Sequence, residues 1–131
     1  MFRKIMVPTD GSKHADKAED MAIELAKQFG AEIIAVHVID DKLIQPFELL
    51  EAEGKDILNR VQEKGRSSGV QVNEVLLLGN PGHDMKKISS KSEADLIVIG
   101  SHGKTGLEKI LMGSVAENTI KTSEIPVLVV K

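Results

Sequence analysis

Four or five short runs rich in β-branched residues alternate with stretches of helical periodicity, and this alternation constrains the fold more than any other feature of the sequence. The runs are residues 4–7, 31–38, 70–78, 94–99 and 126–130. Strands that alternate with helices form βαβ units, whose right-handed crossovers place helices on both faces of a parallel sheet. The sequence therefore predicts an α/β fold, an open doubly wound five-stranded parallel sheet in the order 3-2-1-4-5.

The strongest helical pattern lies between Ser12 and Gly30, which we interpret as N-cap and stop signal. Its apolar positions recur every three or four residues. They are Ala15, Ala18, Met21, Ala22, Leu25, Ala26 and Phe29. The pattern predicts that this face packs against the sheet.

Three further helices are predicted. The second covers residues 47–67 and should bury Leu50, Ile57, Leu58 and Val61. The third is expected to open with Asn80 as N-cap and Pro81 at the first helical position, and to bury Met85 and Ile88. The fourth spans about 114–123. The residues before Asn80 become continuously apolar, which is typical of a strand that runs into a buried sheet.

Length and composition exclude several classes of function. A chain of 131 residues predicts a single domain, residues 1–131. A net charge of -3 gives no large positive field for nucleic acid, and without Trp or Tyr there is no obvious platform for base stacking. The apolar runs are far shorter than the ~20 residues that cross a bilayer. With zero cysteines and no secretory signal at the amino terminus, a cytoplasmic protein is expected.

In a sheet of this order a ligand lies beyond the carboxyl ends of the strands, where the strand order reverses. That point falls between the first and fourth strands. The loops to inspect are therefore residues 8–12 and 100–113, and both are rich in polar residues and glycine.

The second loop begins with GSHGKTG, which resembles a P-loop but fails its spacing. With Gly103 as the second glycine, the first would fall on Val98. The glycines instead form G-x2-G-x9-G-S, from Gly100 through Gly103 to Gly113. Two glycines allow close approach of backbone to a ligand, and the third opens a helix whose N–H groups and dipole attract phosphate. The hydroxyls of Ser101 and Ser114 would add hydrogen bonds.

Each of these residues also has a structural interpretation. Ser114 and Glu117 match a capping box, and Gly100 and Gly103 could be turn glycines. A lysine in a loop, such as Lys104, is more often solvated than bound to phosphate. Asp10 follows a strand end, where a carboxylate reaches ribose hydroxyls or a metal, or else caps the next helix.

The four histidines lack the spacing of a metal site. We place His37 at the end of a strand, and His14 and His83 on the surface. His102 lies inside the glycine loop and could border a ligand, although no neighbouring residue in the sequence activates it as a base. The sequence contains no G-x-S-x-G motif, so the nucleophile turn of an α/β-hydrolase is absent.

Taken together, these residues resemble the ATP-binding branch of the universal stress protein family. The stretches that carry the resemblance are KIMVPTDGS, AVHVID, ADLIVIGSHGKTGLEKILMGSVAENTI and PVLVV, which follow in the family's order. The complete G-x2-G-x9-G-S motif is the mark of the nucleotide-binding members. The resemblance implies a Rossmann-like fold of the adenine nucleotide alpha hydrolase type.

It also implies a ligand set. ATP, or ADP or AMP in its place, would be bound with Mg2+ or Mn2+ on the phosphates. Pro8, Thr9 and Asp10 would line adenosine, and the backbone of Val38 would meet the adenine edge. The remaining implied residues flank the ribose and phosphates: Gly100, Ser101, His102, Gly103, Met112, Gly113, Ser114 and Val115. Whether residues 40–53 also contact the nucleotide is left open, because this segment looks short for the family.

The family is typically dimeric through its last strand, and Val127–Val130 would be an exposed apolar edge in a monomer. The resemblance implies a nucleotide-dependent stress-response or signalling module with an unidentified protein partner and slow or no hydrolysis. The alternative is a metal-dependent ATPase or phosphotransferase that uses Asp10. A phospho-receiver domain needs an aspartate at the end of the third strand, and this sequence has none there. A flavodoxin-like FMN site would need a Tyr or Trp to sandwich the flavin, and the sequence contains neither.

Overall fold

The predicted parallel sheet forms the centre of the chain, with its strands in the order β3-β2-β1-β4-β5. The structure, a computed structural model, describes residues 1–103 and 112–131. Every strand pair is parallel. The elements are β1 (Lys4–Pro8), α1 (Lys13–Phe29), β2 (Glu32–Asp40), α2 (Phe47–Ser68), β3 (Val72–Gly79), α3 (Met85–Ser92), β4 (Leu96–Gly100), α4 (Ser114–Thr122) and β5 (Val127–Val130). The predicted fold class and strand order are confirmed.

Two apolar clusters, one on each face of the sheet, form the core. On one face Ile5 and Val98 pack with Ala22 of α1 and Leu58 of α2. On the other face Met6 and Ile97 pack with residues of α3 and α4. The central strands β1 and β4 are therefore covered on both sides, as their continuous apolar sequence predicts.

The ends of α1 are confirmed. Ser12 Oγ accepts a hydrogen bond from the Ala15 N–H at 3.2 Å, and Gly30 closes the helix with a φ of 66°. Its buried face is rotated from the predicted one, however, because Glu19 and Ile23 are buried in addition to the alanines. Met21 and Phe29 are 42% and 41% exposed. The Phe29 ring instead packs edge-on against Phe2.

The four predicted core residues of α2 are buried, as are Met85 and Ile88 of α3. The predicted start of α3 is wrong. The helix begins at Met85 because the Asn80 side chain closes a turn of its own, with Asn80 Oδ1 accepting from the Gly82 N–H at 2.9 Å. Asn and Pro are as well suited to such a turn as to a helix start.

The end of β3 is also less buried than predicted. β3 is an edge strand and pairs only with β2, so Leu78 is 60% exposed. β5 forms the opposite edge. Over residues 1–103 and 112–131, every helix is too short or too polar to cross a membrane.

Candidate functional site

The two loops at the switch point leave the same edge of the sheet, because β1 and β4 are hydrogen-bonded neighbours. Beyond β4, the Ser101 carbonyl accepts a hydrogen bond from the Gly113 N–H at 2.6 Å. This bond fixes the start of α4 beside the end of β4. The two halves of the split glycine motif are therefore together in space.

Among the residues that the structure describes, no side chain caps the N-terminus of α4, and we call this terminus open. Gly113 is the N-cap and has no side chain to bond the first turn, and the first intrahelical bond runs from the Glu117 N–H to the Gly113 carbonyl. The N–H groups of Ser114, Val115 and Ala116 consequently have no acceptor within the helix. Such a terminus, with its positive dipole end, is suited to an anion.

The capping-box interpretation of Ser114 is wrong. Ser114 is the first helical residue and not the N-cap, because the extended backbone conformation of the cap belongs to Gly113. The Ser114 side chain is exposed, and Glu117 pairs with Lys121 at 3.0 Å. The Ser114 hydroxyl is thus not needed to start the helix.

The N-terminus of α1, at the same edge, is already occupied. Ser12 caps it, Asp10 Oδ1 accepts from the Ser12 N–H at 2.9 Å, and Asp16 adds a carboxylate in the first turn. Both the amide donors and the dipole are therefore partly neutralised. Of these two helix N-termini, that of α4 is the better suited to binding an anion from outside the chain.

The glycines of the motif serve different purposes. A Cβ on Gly113 would lie 3.3 Å from His102 Cα, so this glycine lets α4 approach residues 101–103. A Cβ on Gly103 would lie 2.6 Å from Asp10 Oδ2, which places the Asp10 carboxylate directly against the second loop. At Gly100 a Cβ would lie 2.7 Å from the carbonyl carbon of His14, so packing against α1 already requires glycine there.

A histidine that the sequence placed on the surface belongs to this region. The His14 and His102 rings lie 4.9 Å apart, and Ser101 Oγ lies 3.0 Å from His102 Nδ1 and 3.4 Å from His14 Nδ1. His14 comes here because α1 starts above the end of β4. Sequence spacing gives no hint of this contact, since 87 residues separate His14 from Ser101.

Thr9 holds the first loop and points away from solvent. Its side chain donates to Glu19 Oε2 at 2.5 Å, its N–H donates to the Val36 carbonyl, and its carbonyl accepts from His37 Nδ1 at 2.8 Å. The ladder between β1 and β2 ends with Pro8 opposite Val36. Val38 thus lies two residues beyond it, where its backbone edge faces the first loop.

Glu19 and Lys64 form an ionic cluster beneath that loop. Lys64 Nζ lies 2.5 Å from Asp16, 2.8 Å from Glu19 and 3.0 Å from Asp20. Burial alone would lower the pKa of the Lys64 ammonium, but its hydrogen bonds to the three carboxylates raise the pKa above the ordinary lysine value. The stabilisation that arises from the raised pKa of Lys64 is therefore present below about pH 10.4 and is lost as the pH rises through the raised value.

One feature of the sequence indicates that Glu19 has a buried partner. It lies on the apolar face of α1, between Ala18 and Ala22, and is buried there. A charged residue in such a stripe is rarely left without a partner.

Within residues 1–103 and 112–131 no three acidic or histidine side chains cluster as metal ligands. Lys104 lies outside the described residues.

A shallow cavity of about 510 Å³ lies at the opposite edge of the sheet, beside the amino ends of β2 and β3. Arg3, Gly30 and Gly69 are among its lining residues. The rule for open α/β sheets places ligands at the carboxyl edge, and the helix terminus and glycine motif lie there as well. We therefore assign the candidate site to the carboxyl edge.

Comparison with known proteins gives consistent relatives. The model of the Universal stress protein family matches residues 1–131. Universal stress protein MJ0531 of Methanocaldococcus jannaschii is 42% identical over 144 residues, covering all of this chain and 83% of the relative. The solved structure of MJ0577 superimposes with a TM-score of 0.85 at 37% identity, covering all of this chain and 96% of that one. The universal stress protein from Archaeoglobus fulgidus in complex with dAMP superimposes with a TM-score of 0.81 at 26% identity, covering 98% of each chain.

Proposed function

Because this chain belongs to the universal stress protein family, we propose that it binds ATP at the carboxyl edge of its sheet. The observation that carries this proposal is the open N-terminus of α4, joined to the end of β4 by the bond from Gly113 to Ser101. The A. fulgidus relative in complex with dAMP supports an adenine nucleotide as the ligand.

The adenosine half of the ligand is assigned to the first loop and β2. Pro8 and Asp10 line it directly, while Thr9 acts through its backbone because its hydroxyl is engaged by Glu19. The backbone of Val38, beyond the last residue paired with β1, receives the adenine edge. Adenine offers both donor and acceptor atoms there, so backbone groups alone suffice to recognise it.

The phosphates are assigned to the split motif. Gly100, Ser101, His102 and Gly103 flank the ribose and the α-phosphate, and residues 112–115 receive the β- and γ-phosphates. Backbone N–H groups and a helix dipole carry this binding. Mg2+ or Mn2+ would neutralise phosphate charge, and the Asp10 carboxylate lies against Gly103 of this loop.

In this proposal the protein is a single cytoplasmic domain whose nucleotide state is sensed by a protein partner in a stress response. Hydrolysis is slow or absent. Asp10 Oδ1 already accepts the Ser12 N–H and Oδ2 faces Gly103, which favours a positioning role over general-base catalysis. The alternative, an ATPase or phosphotransferase that uses Asp10, requires rates typical of enzymes, about 1 per second or faster. Single-turnover hydrolysis of radiolabelled ATP separates the two.

The first experiment is to identify the nucleotide that co-purifies with the protein. Denaturing the purified protein and separating the released compounds by chromatography should give an adenine nucleotide close to one per chain. A different class of bound compound would refute the ligand assignment.

Ser114→Ala tests whether the hydroxyl serves the ligand or the helix. Because Gly113 is the N-cap, we expect the unfolding free energy to change by less than about 0.5 kcal/mol, whereas loss of a cap costs ~1 kcal/mol. The affinity for ATP should fall about fivefold, the effect of one lost hydrogen bond. Urea unfolding and calorimetry give the two numbers. A loss of stability at unchanged affinity would restore the capping role.

We propose further that the protein is a homodimer through β5. Val127–Val130 forms an outer edge of the sheet, and Leu128 is 38% exposed there. An apolar edge strand of this kind is a liability that two-fold pairing removes. Light scattering after size exclusion should give twice the chain mass at micromolar concentration.

Leu128→Glu should convert this dimer to a monomer, because it places a like charge on both sides of the two-fold interface. Leu49→Glu is the matched control, since Leu49 is exposed on α2 and away from β5. A monomeric wild-type protein, or a dimer that survives Leu128→Glu, would refute the β5 interface.

A further inference from the structure

We propose that Glu19 is a positioning residue for the nucleotide site. Its buried carboxylate fixes Thr9, and through Thr9 the turn that presents Asp10, while Lys64 of α2 holds the carboxylate in place. This inference rests on the proposed function, because it concerns the loop assigned to adenosine. Glu19 itself belongs to α1 and is separated from the ligand by Thr9.

The carboxylate has one partner on each oxygen. Oε2 accepts the Thr9 hydroxyl at 2.5 Å, and Oε1 accepts Lys64 Nζ at 2.8 Å. The Glu19 side chain is only 5% exposed. A buried carboxylate with two charge-assisted hydrogen bonds has little freedom to change its orientation.

Glu19 orients the Thr9 hydroxyl, and the hydroxyl in turn fixes the loop. Since the Thr9 proton points at Glu19, the lone pairs of Thr9 Oγ1 are directed elsewhere, and one accepts the Gly11 N–H at 3.2 Å. Gly11 has a φ of 79°, which glycine adopts without strain, so the bond selects this conformation from the many that are open to glycine. The next bond, from the Ser12 N–H to Asp10 Oδ1, completes the turn. The chain of contacts thus leads from Glu19 to the Asp10 carboxylate.

Stability alone gives little reason for a carboxylate at this position. The other buried residues of α1 are apolar, four alanines and Ile23, and they pack without cost in polar desolvation. Replacement of a whole buried ion pair by apolar residues is often neutral or stabilising, whereas removal of one partner is costly when it leaves the other charge unpaired. Asp16 and Asp20 still hold Lys64 from the outer side when Glu19 is removed. An effect on the turn can therefore be separated from an effect on folding.

The test compares three variants. Glu19→Leu removes the acceptor, and Glu19→Gln keeps an acceptor in the same place. Glu24→Leu is the control on the same helix, because Glu24 is an exposed partner of Lys27. ATP affinity is measured by calorimetry, and the Gly11 amide is followed by NMR in the nucleotide-free protein. This amide reports the conformation of the turn. It would not change if Glu19 stabilised only the packing of α1.

We expect Glu19→Leu to weaken ATP binding about tenfold, to shift the Gly11 amide resonance and to speed its exchange with solvent. Glu19→Gln should stay within about threefold of wild type, and Glu24→Leu should match wild type in both readouts. Wild-type affinity and an unchanged Gly11 amide in Glu19→Leu would overturn the inference.

Two further outcomes remain decisive. If Glu19→Leu does not fold, Thr9→Val removes the same bond from the other side, and Thr9→Ser retains it. Equal affinity of these two variants overturns the inference, whereas a selective loss in Thr9→Val supports it. If wild type binds no adenine nucleotide, the proposed function fails, and the Gly11 amide still shows whether Glu19 sets the turn.

Discussion

Replacing Gly113 by valine is expected to lower the affinity for ATP by about 100-fold or more, which corresponds to ~2.7 kcal/mol. A Cβ at this position would already lie 3.3 Å from His102 Cα and 3.4 Å from the Ser101 carbonyl oxygen. The two methyl groups of valine would therefore push the start of α4 away from the end of β4. The N–H groups assigned to the phosphates would then no longer face the rest of the motif.

The fold should survive this change, because the extended backbone of Gly113, with φ of -73° and ψ of 164°, is accessible to valine. Circular dichroism and the melting temperature check this. Gly113→Ala is the graded control, with an expected loss of about tenfold because it adds only the Cβ. Unchanged affinity of a folded Gly113→Val variant would contradict the assignment of α4 to the phosphates.

Gly100→Ala is expected to have the largest effect on stability, a loss of about 3 kcal/mol in unfolding free energy. The added Cβ would lie 2.7 and 2.8 Å from the carbonyl carbon and oxygen of His14 and 3.0 Å from the Ala15 nitrogen. These are backbone atoms in the first turn of α1, so no side chain can move to make room. The helix must shift as a unit, and it carries Ser12 and the first loop with it.

Gly30→Ala separates steric from conformational cost. Gly30 has a φ of 66° and nothing within 4 Å of its Cβ position, so alanine there costs only the strain of the left-handed conformation, about 1 kcal/mol. Urea unfolding of both variants gives the comparison. Equal losses in the two variants would show that packing against α1 is not what requires glycine at position 100.

The sheet was predictable because its signals are local. A strand such as β1 is apolar from Ile5 to Pro8, and the caps of α1 are Ser12 and Gly30, residue types that are strongly preferred at these positions. The start of α3 was not predictable in this way. Asn80 and Pro81 suit a helix start and a turn equally, and the choice depends on the Asp84 side chain, which accepts the Asn80 N–H at 2.9 Å.

Burial at the sheet edges was mispredicted for a different reason. Leu77 and Leu78 are as apolar as the residues of β4, but β3 has a neighbour on one side only. Sequence shows how apolar a strand is and not how many elements cover it. The exposed Met21 shows the same for a helix, because an apolar residue there need not be covered by a neighbouring element.

The candidate site could be proposed from sequence where a motif carries it and not where tertiary contacts build it. The spacing of Gly100, Gly103 and Gly113 indicated the phosphate loop, and the structure brings these segments together. His14 and Glu19 did not stand out in the sequence, because each makes its contact with a residue at least ten positions away. A buried charge on an apolar helix face is the one signal that sequence alone provides for such residues.

The central claim, one adenine nucleotide at the open start of α4, is tested most directly by calorimetric titration of ATP into nucleotide-free protein. We expect saturable binding with one site per chain, and an affinity that falls about 100-fold in Gly113→Val. Absence of saturable binding to ATP, ADP and AMP at millimolar concentration, in protein shown to be folded, would contradict it.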